Sequence, residues 1–286
     1  MKKASLLERL FFFAAAGSAM APLSVFVLMF FLGLPLMMEG RLLELFTDSW
    51  SPDQGLYGIR AMIAGSLVIS VTSLILAFPL SLGCSILIVV LSPRGMGRVL
   101  RSTVQFMTGI PTVVYGFVGI FLLVPIIRNL FQYGSGMSIL TASLLLGILV
   151  TPTMVLVFSD SFQQVPESYL AAARALGGTP LQNFFNVILP CAWRGIVAGV
   201  ILATGRAMGD TMISLMVAGN SIGLPRSLLD SGRTLTAHIG LVMAADFESL
   251  EFKSLFACGI ILYLFTSIMA IAARSLYSLK GPGISR

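Results

Sequence analysis

Charged residues are scarce in this 286-residue sequence, and their scarcity decides which solvent the fold requires. Only 10% of the residues are charged and 57% are hydrophobic, whereas roughly 25% of the residues in a soluble domain are charged. A water-soluble fold cannot cover so much apolar surface, so an ordinary soluble protein is excluded. The formal charge of +6 does not indicate nucleic-acid binding, because the basic residues are spread singly along the chain.

Lysine is also rare, and the four lysines are Lys2, Lys3, Lys253 and Lys280. An ATP-binding P-loop needs a lysine after a glycine-rich turn and before serine or threonine. None of the four lysines has that setting. We therefore expect no ATPase site and no cofactor in this chain.

Histidine and cysteine are too few to suggest a metal centre or a set of disulfides. The single histidine, His238, has no partner at a metal-ligand spacing, and we predict a surface position for it in a loop. The cysteines are odd in number and lie in or beside apolar runs, so we predict that they are inert: Cys84, Cys191 and Cys258. An intramembrane hydrolase using Asp210 or His238 remains an alternative, although facing spans offer no pair of aspartates.

Long apolar stretches are abundant. A helix that spans a bilayer needs about 20 apolar residues, and six stretches qualify: residues 10–38, 61–91, 104–128, 138–159, 195–219 and 254–274. The sequence therefore predicts an all-α integral membrane protein with six transmembrane helices. The first stretch resembles a secretory signal peptide with a cleavage site at Ala19-Met20-Ala21. However, the apolar stretch continues to Met38, and Pro22 would directly follow the cleavage site, so we expect that this helix is retained.

Six spans place both termini on one side of the membrane. Eleven lysines and arginines lie on the side of the termini and six on the other side. The positive-inside rule then predicts a multi-pass protein of the cytoplasmic (inner) membrane with both termini in the cytoplasm.

The loop between spans four and five has helical signals of its own. Pro166 suits a helix start, the alanines after it favour a helix, and Gly177-Gly178 ends it. A second short helix is predicted from Pro180 to Val187, with an apolar face formed by Leu181, Phe184 and Phe185. A helix-turn-helix on the cytoplasmic surface is a shape that another protein can bind.

This loop resembles the EAA loop of ABC importer permeases, the segment that docks on the ATPase subunit. The residues that carry the resemblance keep the family's spacing, and they are Ala171, Ala172, Ala173, Gly177, Val187, Leu189 and Pro190. The family's leading glutamate is Ala171 here, and its isoleucine is Val187. The resemblance implies that the loop couples the chain to an ATPase; an ordinary surface connector is the alternative.

Glycine and proline are dense at the start of span three, in the string Gly109-Ile110-Pro111-Thr112-Val113-Val114-Tyr115-Gly116-Phe117-Val118-Gly119. Broken helices at membrane depth occur where they line a cavity or are buried in protein. The string resembles a signature of PstC-type phosphate permeases, Gly-Ile-Pro-Ser-Val-Val-Tyr-Gly-Phe. We predict that Gly109, Pro111, Tyr115 and Gly116 serve the pathway or close helix packing, and packing alone is the alternative.

Span five contains two charged residues in the string Gly205-Arg206-Ala207-Met208-Gly209-Asp210-Thr211. Intramembrane charges cost roughly 2.5–3.5 kcal/mol each on insertion scales, so they are functional candidates and are usually paired. A spacing of four puts Arg206 and Asp210 on one helix face. Arg206 lies about 16 Å into the predicted span, near the midplane. We predict that Arg206 meets a passing anion while Asp210 competes for it; a purely structural ion pair is the alternative.

The stretch from Gly205 to Asn220 also resembles PstC-type phosphate permeases, in the block Gly-Arg-Ala-x-Gly-Glu-Thr followed by Met-Val-Ala-Gly-Asn. Asp210 replaces the family's glutamate, and Thr211 completes the predicted substrate-pathway set. With strings at Trp50–Pro52, Tyr57–Ile59 and Thr234–Ile239, the resemblance extends from about Trp50 onward. A permease for sulfate or molybdate is the nearer alternative, since those relatives also carry an Arg-Ala-x-Gly-Glu string.

The resemblance also implies an assembly. It predicts a PstA-like permease subunit as the second half of the pathway, a PstB-like ATPase dimer that binds the ATP, and a PstS-like phosphate-binding protein outside. On this basis we divide the chain into residues 1–60, a transmembrane helix with an outer loop, and residues 61–286, the permease domain. The coupling loop occupies about residues 160–194.

Overall fold

The computed structural model describes residues 6–38 and 42–278, and it confirms the all-α fold class. The first elements are α1 (Leu6–Met38), α2 (Leu42–Thr47), β1 (Trp50–Ser51) and β2 (Leu56–Tyr57). Next come α3 (Arg60–Ile86), α4 (Arg94–Thr108), α5 (Thr112–Val118), α6 (Val124–Phe131) and α7 (Ile139–Gln163). The last elements are α8 (Glu167–Ala175), α9 (Pro180–Asn183), α10 (Leu189–Gly209), α11 (Met212–Val217), α12 (Leu235–Val242) and α13 (Leu250–Ser278).

Within the described ranges six helices are long and apolar enough to cross a membrane, which confirms the predicted number. They cover Leu7–Gly33, Arg60–Leu91, Thr112–Phe131, Ile139–Gln163, Pro180–Gly209 and Leu250–Ser275. The third span begins at Thr112, whereas the sequence predicted residue 104. The reason is Pro111, whose backbone is extended and has no N–H to continue a helix, so α4 is a separate element.

The fifth span differs from the prediction at both ends. The predicted short helix from Pro180 to Val187 is not separate, because α9 continues through a π turn at Phe184–Ile188 into α10. Pro190 cannot donate a hydrogen bond to the carbonyl four residues earlier, and a π turn accommodates that loss. At the other end the helix stops at Gly209 instead of residue 219, since Asp210 has an extended backbone with ψ of 128°.

Small residues bring α3, α7 and α10 together at the centre of the bundle. Ser85 and Ser81 of α3 donate hydrogen bonds of 3.2 Å and 3.3 Å to carbonyl oxygens of α7. A side chain at Gly195 would overlap Ser161, and one at Gly199 would crowd Phe158. These glycines let α10 approach α7 closely, and close packing of this kind holds helices together in lipid.

Contacts between loops define the two ends of the bundle. At the coupling-loop end, Arg101 of α4 pairs with Asp160 at the end of α7. At the hairpin end, named after the antiparallel pair β1–β2, Tyr133 bonds to Asp230 and Trp50 contacts His238. The loops therefore lie in two groups at opposite ends of the bundle, as a chain with six membrane-crossing helices requires.

The first helix, α1, lies outside this core and packs against α13. Phe26 stacks on Tyr263 with ring centroids 4.6 Å apart, and a side chain at Gly259 would overlap Met29.

All three cysteines lie in the described part of the chain, where they are free thiols. The division of the chain at residue 60 stays a prediction.

Candidate functional site

Arg206 lies near the end of α10, three residues before the helix stops. Its side chain is half-buried, and a terminal nitrogen of the guanidinium donates a 3.3 Å hydrogen bond to the hydroxyl of Thr153 on α7. Within the described ranges no carboxylate is within ion-pair distance of Arg206. Its charge is thus held by a neutral partner.

The predicted ion pair between Arg206 and Asp210 does not form. A spacing of four places two side chains together only in a continuous helix, and Asp210 has already left it. Its buried carboxylate accepts a 2.9 Å hydrogen bond from the N–H of Ile213 and caps the first turn of α11. Arg206 still acts on Asp210 electrostatically without contacting it. Asp210 is therefore a structural cap in this arrangement, and no contact supports its predicted competition for Arg206.

The main chain at Asp210 is tied to the hairpin end of the molecule. Its carbonyl oxygen accepts a 2.7 Å hydrogen bond from the hydroxyl of Thr236 in the first turn of α12. The carbonyl oxygen of Thr211, the next residue, accepts a 2.8 Å hydrogen bond from the N–H of Leu215. The break in span five is therefore fixed by hydrogen bonds on both sides, and it sets the position of Arg206.

The Gly109–Gly119 string of span three contacts the Gly205–Asn220 stretch of span five. This contact was not predicted from the sequence. A side chain at Gly116 would overlap the sulfur of Met216, so α5 and α11 touch because this residue is glycine. The Tyr115 hydroxyl donates to the carbonyl of Met107 at 3.3 Å, and Arg206 acts on Tyr115 electrostatically. Gly116 therefore contacts Met216, and the residue before it, Tyr115, lies within electrostatic range of Arg206 without contacting it.

Gly109 and Pro111 occupy the turn between α4 and α5. Gly109 closes α4, and Pro111 precedes the first residue of α5. Both are exposed, and they turn the chain rather than contact Arg206. Of the four residues predicted in this string, Gly116 contacts α11 at Met216, and Tyr115 is linked to Arg206 only by electrostatics.

A tight turn follows α11. Gly219 and Asn220 both have positive φ, 85° and 57°, and Gly219 forms a parallel bridge with Gly232. Arg233, which follows Gly232, donates a 3.1 Å hydrogen bond from its Nε to the carbonyl oxygen of Asn220. The Met-Val-Ala-Gly-Asn string therefore ends in a turn that positions an arginine.

His238 is fully buried, which corrects the predicted surface position. Its ring stands edge to face against Trp50 with centroids 4.3 Å apart, and its Nδ1 lies 3.5 Å from a terminal nitrogen of Arg233. Burial and the charge of Arg233 lower the pKa of His238 from 6.5 to about 4. No group of three or more metal-ligating side chains exists in the described part of the chain.

The coupling loop presents an exposed surface on α8. Ala171 and Ala172 are exposed, Ala173 is half-buried, and Leu176 at the end of the helix is 90% exposed. Gly177 has a φ of 82°, a left-handed conformation that favours glycine. The predicted helix start and helix end are both confirmed.

The second part of the loop anchors that surface. Thr179 and Gln182 form a capping box at the start of α9. Leu189 packs into the core cluster around Phe158 and Phe162, while Pro190 is exposed in the first turn of α10. A cavity of about 500 Å³ lies beneath α8, between Glu167, Arg174 and the end of span two.

Two residues of this site were missed from the sequence. Thr153 lies in α7 and Thr236 in the first turn of α12, and their partners Arg206 and Asp210 are 53 and 26 residues away in the sequence. The local signals were Pro152, beside Thr153, and the Thr234–Ile239 string, and neither of them indicated a partner.

The fold is shared with a known membrane protein. It is a bundle of six membrane-crossing helices with a broken span that carries Arg206 and two short helices between spans four and five. A structure of the MetNI methionine ABC transporter, in an inward-facing conformation, has a chain that is similar over 81% of this chain and 100% of its own length. That match has a TM-score of 0.61 and 18% identity, and it shows the fold alone.

The family follows from the sequence comparisons. Residues 81–280 match the family described as binding-protein-dependent transport system inner membrane component, and this chain belongs to that family. A probable ABC transporter permease protein YqgH of Bacillus subtilis is 31% identical over 80% of this chain and 75% of its own. The phosphate transport system permease protein PstC of Pasteurella multocida is 31% identical over 81% of this chain and 78% of its own. The resemblance to PstC-type permeases is thereby confirmed.

Proposed function

We propose that this chain is a permease subunit of an ATP-driven importer that moves inorganic phosphate across the cytoplasmic membrane. The observation that carries the proposal is the half-buried Arg206, which no described carboxylate neutralises and which a neutral hydroxyl of Thr153 holds. Similar proteins named as phosphate permeases support the choice of anion.

The chemistry of Arg206 suits a tetrahedral oxyanion. A guanidinium keeps its charge at every physiological pH, and its planar fork donates two parallel hydrogen bonds to phosphate. Thr153 occupies one terminal nitrogen by a long bond of 3.3 Å, which an anion can replace at little cost. Because Asp210 caps α11, it does not compete for Arg206 by contact.

The proposed complex supplies what this chain lacks. An ATPase dimer of the PstB type binds and hydrolyses ATP and docks on α8 at Ala171, Ala172 and Leu176, whose exposure in the structure supports this contact. A PstA-like permease completes the pathway, and a PstS-like binding protein delivers phosphate. The termini and the coupling-loop end face the cytoplasm, as the distribution of lysine and arginine predicts.

A permease for sulfate or molybdate is the second candidate. Arg206 by itself would serve either anion, since both are tetrahedral oxyanions that accept the same guanidinium hydrogen bonds. Phosphate is preferred as the substrate because the Val-Tyr-Gly-Phe and Met-Val-Ala-Gly-Asn strings resemble those of PstC-type permeases, and relatives named as phosphate permeases support this choice.

The test is ATP-dependent uptake of labelled phosphate into vesicles that hold this chain with its partner subunits. We expect uptake in the wild type, weak inhibition by excess sulfate or molybdate, and at least about a tenfold loss of uptake with Arg206→Gln in an assembled complex. Arg128→Gln removes the same charge from an exposed position at the end of α6, so it should transport normally.

Uptake of sulfate or molybdate in place of phosphate would transfer the chain to the second candidate. Normal phosphate uptake by Arg206→Gln would remove Arg206 from the pathway and leave the family assignment intact.

A further inference from the structure

A second half-buried arginine, Arg233 at the hairpin end of the molecule, has no acidic partner among the described residues. The guanidinium of Arg233 bonds to the carbonyl of Asn220 at 3.1 Å and lies 3.5 Å from Nδ1 of His238. No carboxylate within the described ranges is at ion-pair distance. In contrast, Arg101 and Arg174 at the coupling-loop end pair with Asp160 and Glu167. The charge of Arg233 is thus uncompensated.

The surroundings hold this charge in place without neutralising it. Because a guanidinium only donates, Nδ1 of His238 must accept, and the ring proton is on Nε2. His238 is buried and neutral at physiological pH, so it adds no second charge. Burial lowers the pKa of Arg233 itself, which means that an anion beside the guanidinium would be favoured.

The backbone around Arg233 is rigid. A side chain at Gly65 of α3 would overlap the Arg233 carbonyl, so the segment lies directly on that helix. Ser66 accepts the N–H of Leu235 at 2.9 Å, and Thr234 caps α12 by accepting the N–H of Ala237 at 3.1 Å. Because the backbone is already held in place, binding a ligand here costs little further backbone entropy.

A hydrogen-bond acceptor without a partner lies on Asn220, the residue whose main-chain carbonyl accepts from Arg233. Asn220 donates through its amide nitrogen to the carbonyl of Leu215 at 2.7 Å, which fixes the orientation of the amide. Its Oδ1 is buried with no partner. A phosphate ion at neutral pH carries at least one proton that can be donated to such an acceptor, whereas sulfate carries none.

The segment that carries Arg233 is also connected to the site at Arg206. Thr236, three residues after Arg233, bonds to the carbonyl of Asp210 where span five breaks. We propose that Arg233 and Asn220 form an outer contact site for a protonated tetrahedral oxyanion, which the anion occupies before it reaches Arg206. This inference rests on the proposed function, because it assumes that the chain transports such an anion.

The experiment compares phosphate uptake with ATP hydrolysis in vesicles that hold the whole complex and loaded binding protein. Arg233→Gln should lower phosphate uptake at least about tenfold while stimulated ATP hydrolysis stays within about twofold of the wild type. Arg226→Gln removes an arginine from the exposed part of the same loop, and we expect the wild-type ratio of uptake to hydrolysis.

A parallel fall of uptake and hydrolysis in Arg233→Gln would indicate a role in docking or assembly and would overturn the proposal, as would unchanged uptake. If Arg233→Gln does not assemble, Arg233→Lys is the second variant, because lysine keeps the positive charge but lacks the planar guanidinium that donates two parallel hydrogen bonds. Its uptake per ATP should then be reduced about threefold, and a wild-type ratio would overturn the proposal.

Asn220→Gly tests the acceptor, because glycine keeps the positive φ. Sulfate should compete better against phosphate in this variant, and an unchanged preference would remove Asn220 from the site. A wild-type complex that imports another protonated oxyanion contradicts the proposed function alone, since the effect of Arg233→Gln can be measured with that anion. Import of sulfate, which carries no proton, would overturn the role of Asn220 as well.

Discussion

The hydroxyl of Thr236 donates a 2.7 Å hydrogen bond to the main-chain carbonyl oxygen of Asp210. The bond joins the first turn of α12 to the break between α10 and α11. A carbonyl at a helix break has lost its helical partner, and in a membrane protein such a group must be satisfied by a neighbour. Thr236 therefore stabilises the interruption between α10 and α11 that positions Arg206.

Replacing Thr236 tests this role. Thr236→Val keeps the shape and removes the hydroxyl, which leaves the Asp210 carbonyl without its donor. We expect a loss of about 1–3 kcal/mol in the free energy of unfolding, measured by denaturant unfolding of the purified protein in detergent. Thr266→Val is the control, since Thr266 bonds only within its own helix. Equal stability of the two variants would contradict a bridging role.

The contact between Gly116 and Met216 makes a second prediction. Gly116→Ala should destabilise the protein by about 1–3 kcal/mol, because a methyl group there overlaps Met216. Met216→Ala in the same chain should recover part of that loss in thermal-unfolding measurements. Gly83→Ala is the matched control, since no atom lies near that position, and it should be neutral or slightly stabilising. Additive losses in the double variant would show that the contact is not specific.

Gly177 at the end of α8 makes a third prediction. Its φ of 82° costs a residue with a side chain about 1–2 kcal/mol, while no atom crowds the position. Gly177→Ala should therefore disturb the loop and lower transport-coupled ATP hydrolysis of the assembled complex. Gly177→Asn should behave like the wild type, because asparagine tolerates the left-handed region. If both variants lose coupling equally, a lost ATPase contact rather than backbone strain is the cause.

His238 predicts how stability depends on pH. Its pKa is about 4 in the folded protein and 6.5 when unperturbed, so between these values the unfolded chain binds a proton that the folded chain does not. Its contribution is complete above pH 6.5 and is lost as the pH falls towards 4. The midpoint of thermal unfolding should fall across this window.

His238→Asn should flatten that fall, because asparagine retains an acceptor and does not titrate. Asp230→Asn should leave this window unchanged, since backbone N–H groups of Arg226 and Ser227 lower the pKa of Asp230 and move its effect to more acidic pH. A wild-type slope in His238→Asn would assign the pH dependence to another group.

The helix that carries Arg206 shows how far sequence reasoning reached. Hydropathy located span five, because apolar length is a property of consecutive residues. The end of the helix at Gly209 was not predicted, since a single glycine inside an apolar run does not by itself end a helix. Its capping by Asp210 and the bond from Thr236 depend on α11 and α12 being in place.

By itself the sequence determined the membrane environment, the six spans, the coupling loop and the likeness to a transport family, because composition, apolar length and motif spacing are local properties. The tertiary structure decided which charges are paired. It separated Arg206 from Asp210, buried His238 against Trp50 and brought Gly116 against Met216. In the described part of the chain it also left Arg233 without a carboxylate at ion-pair distance. These outcomes depend on residues distant in the chain, whose approach is fixed only when the helices pack.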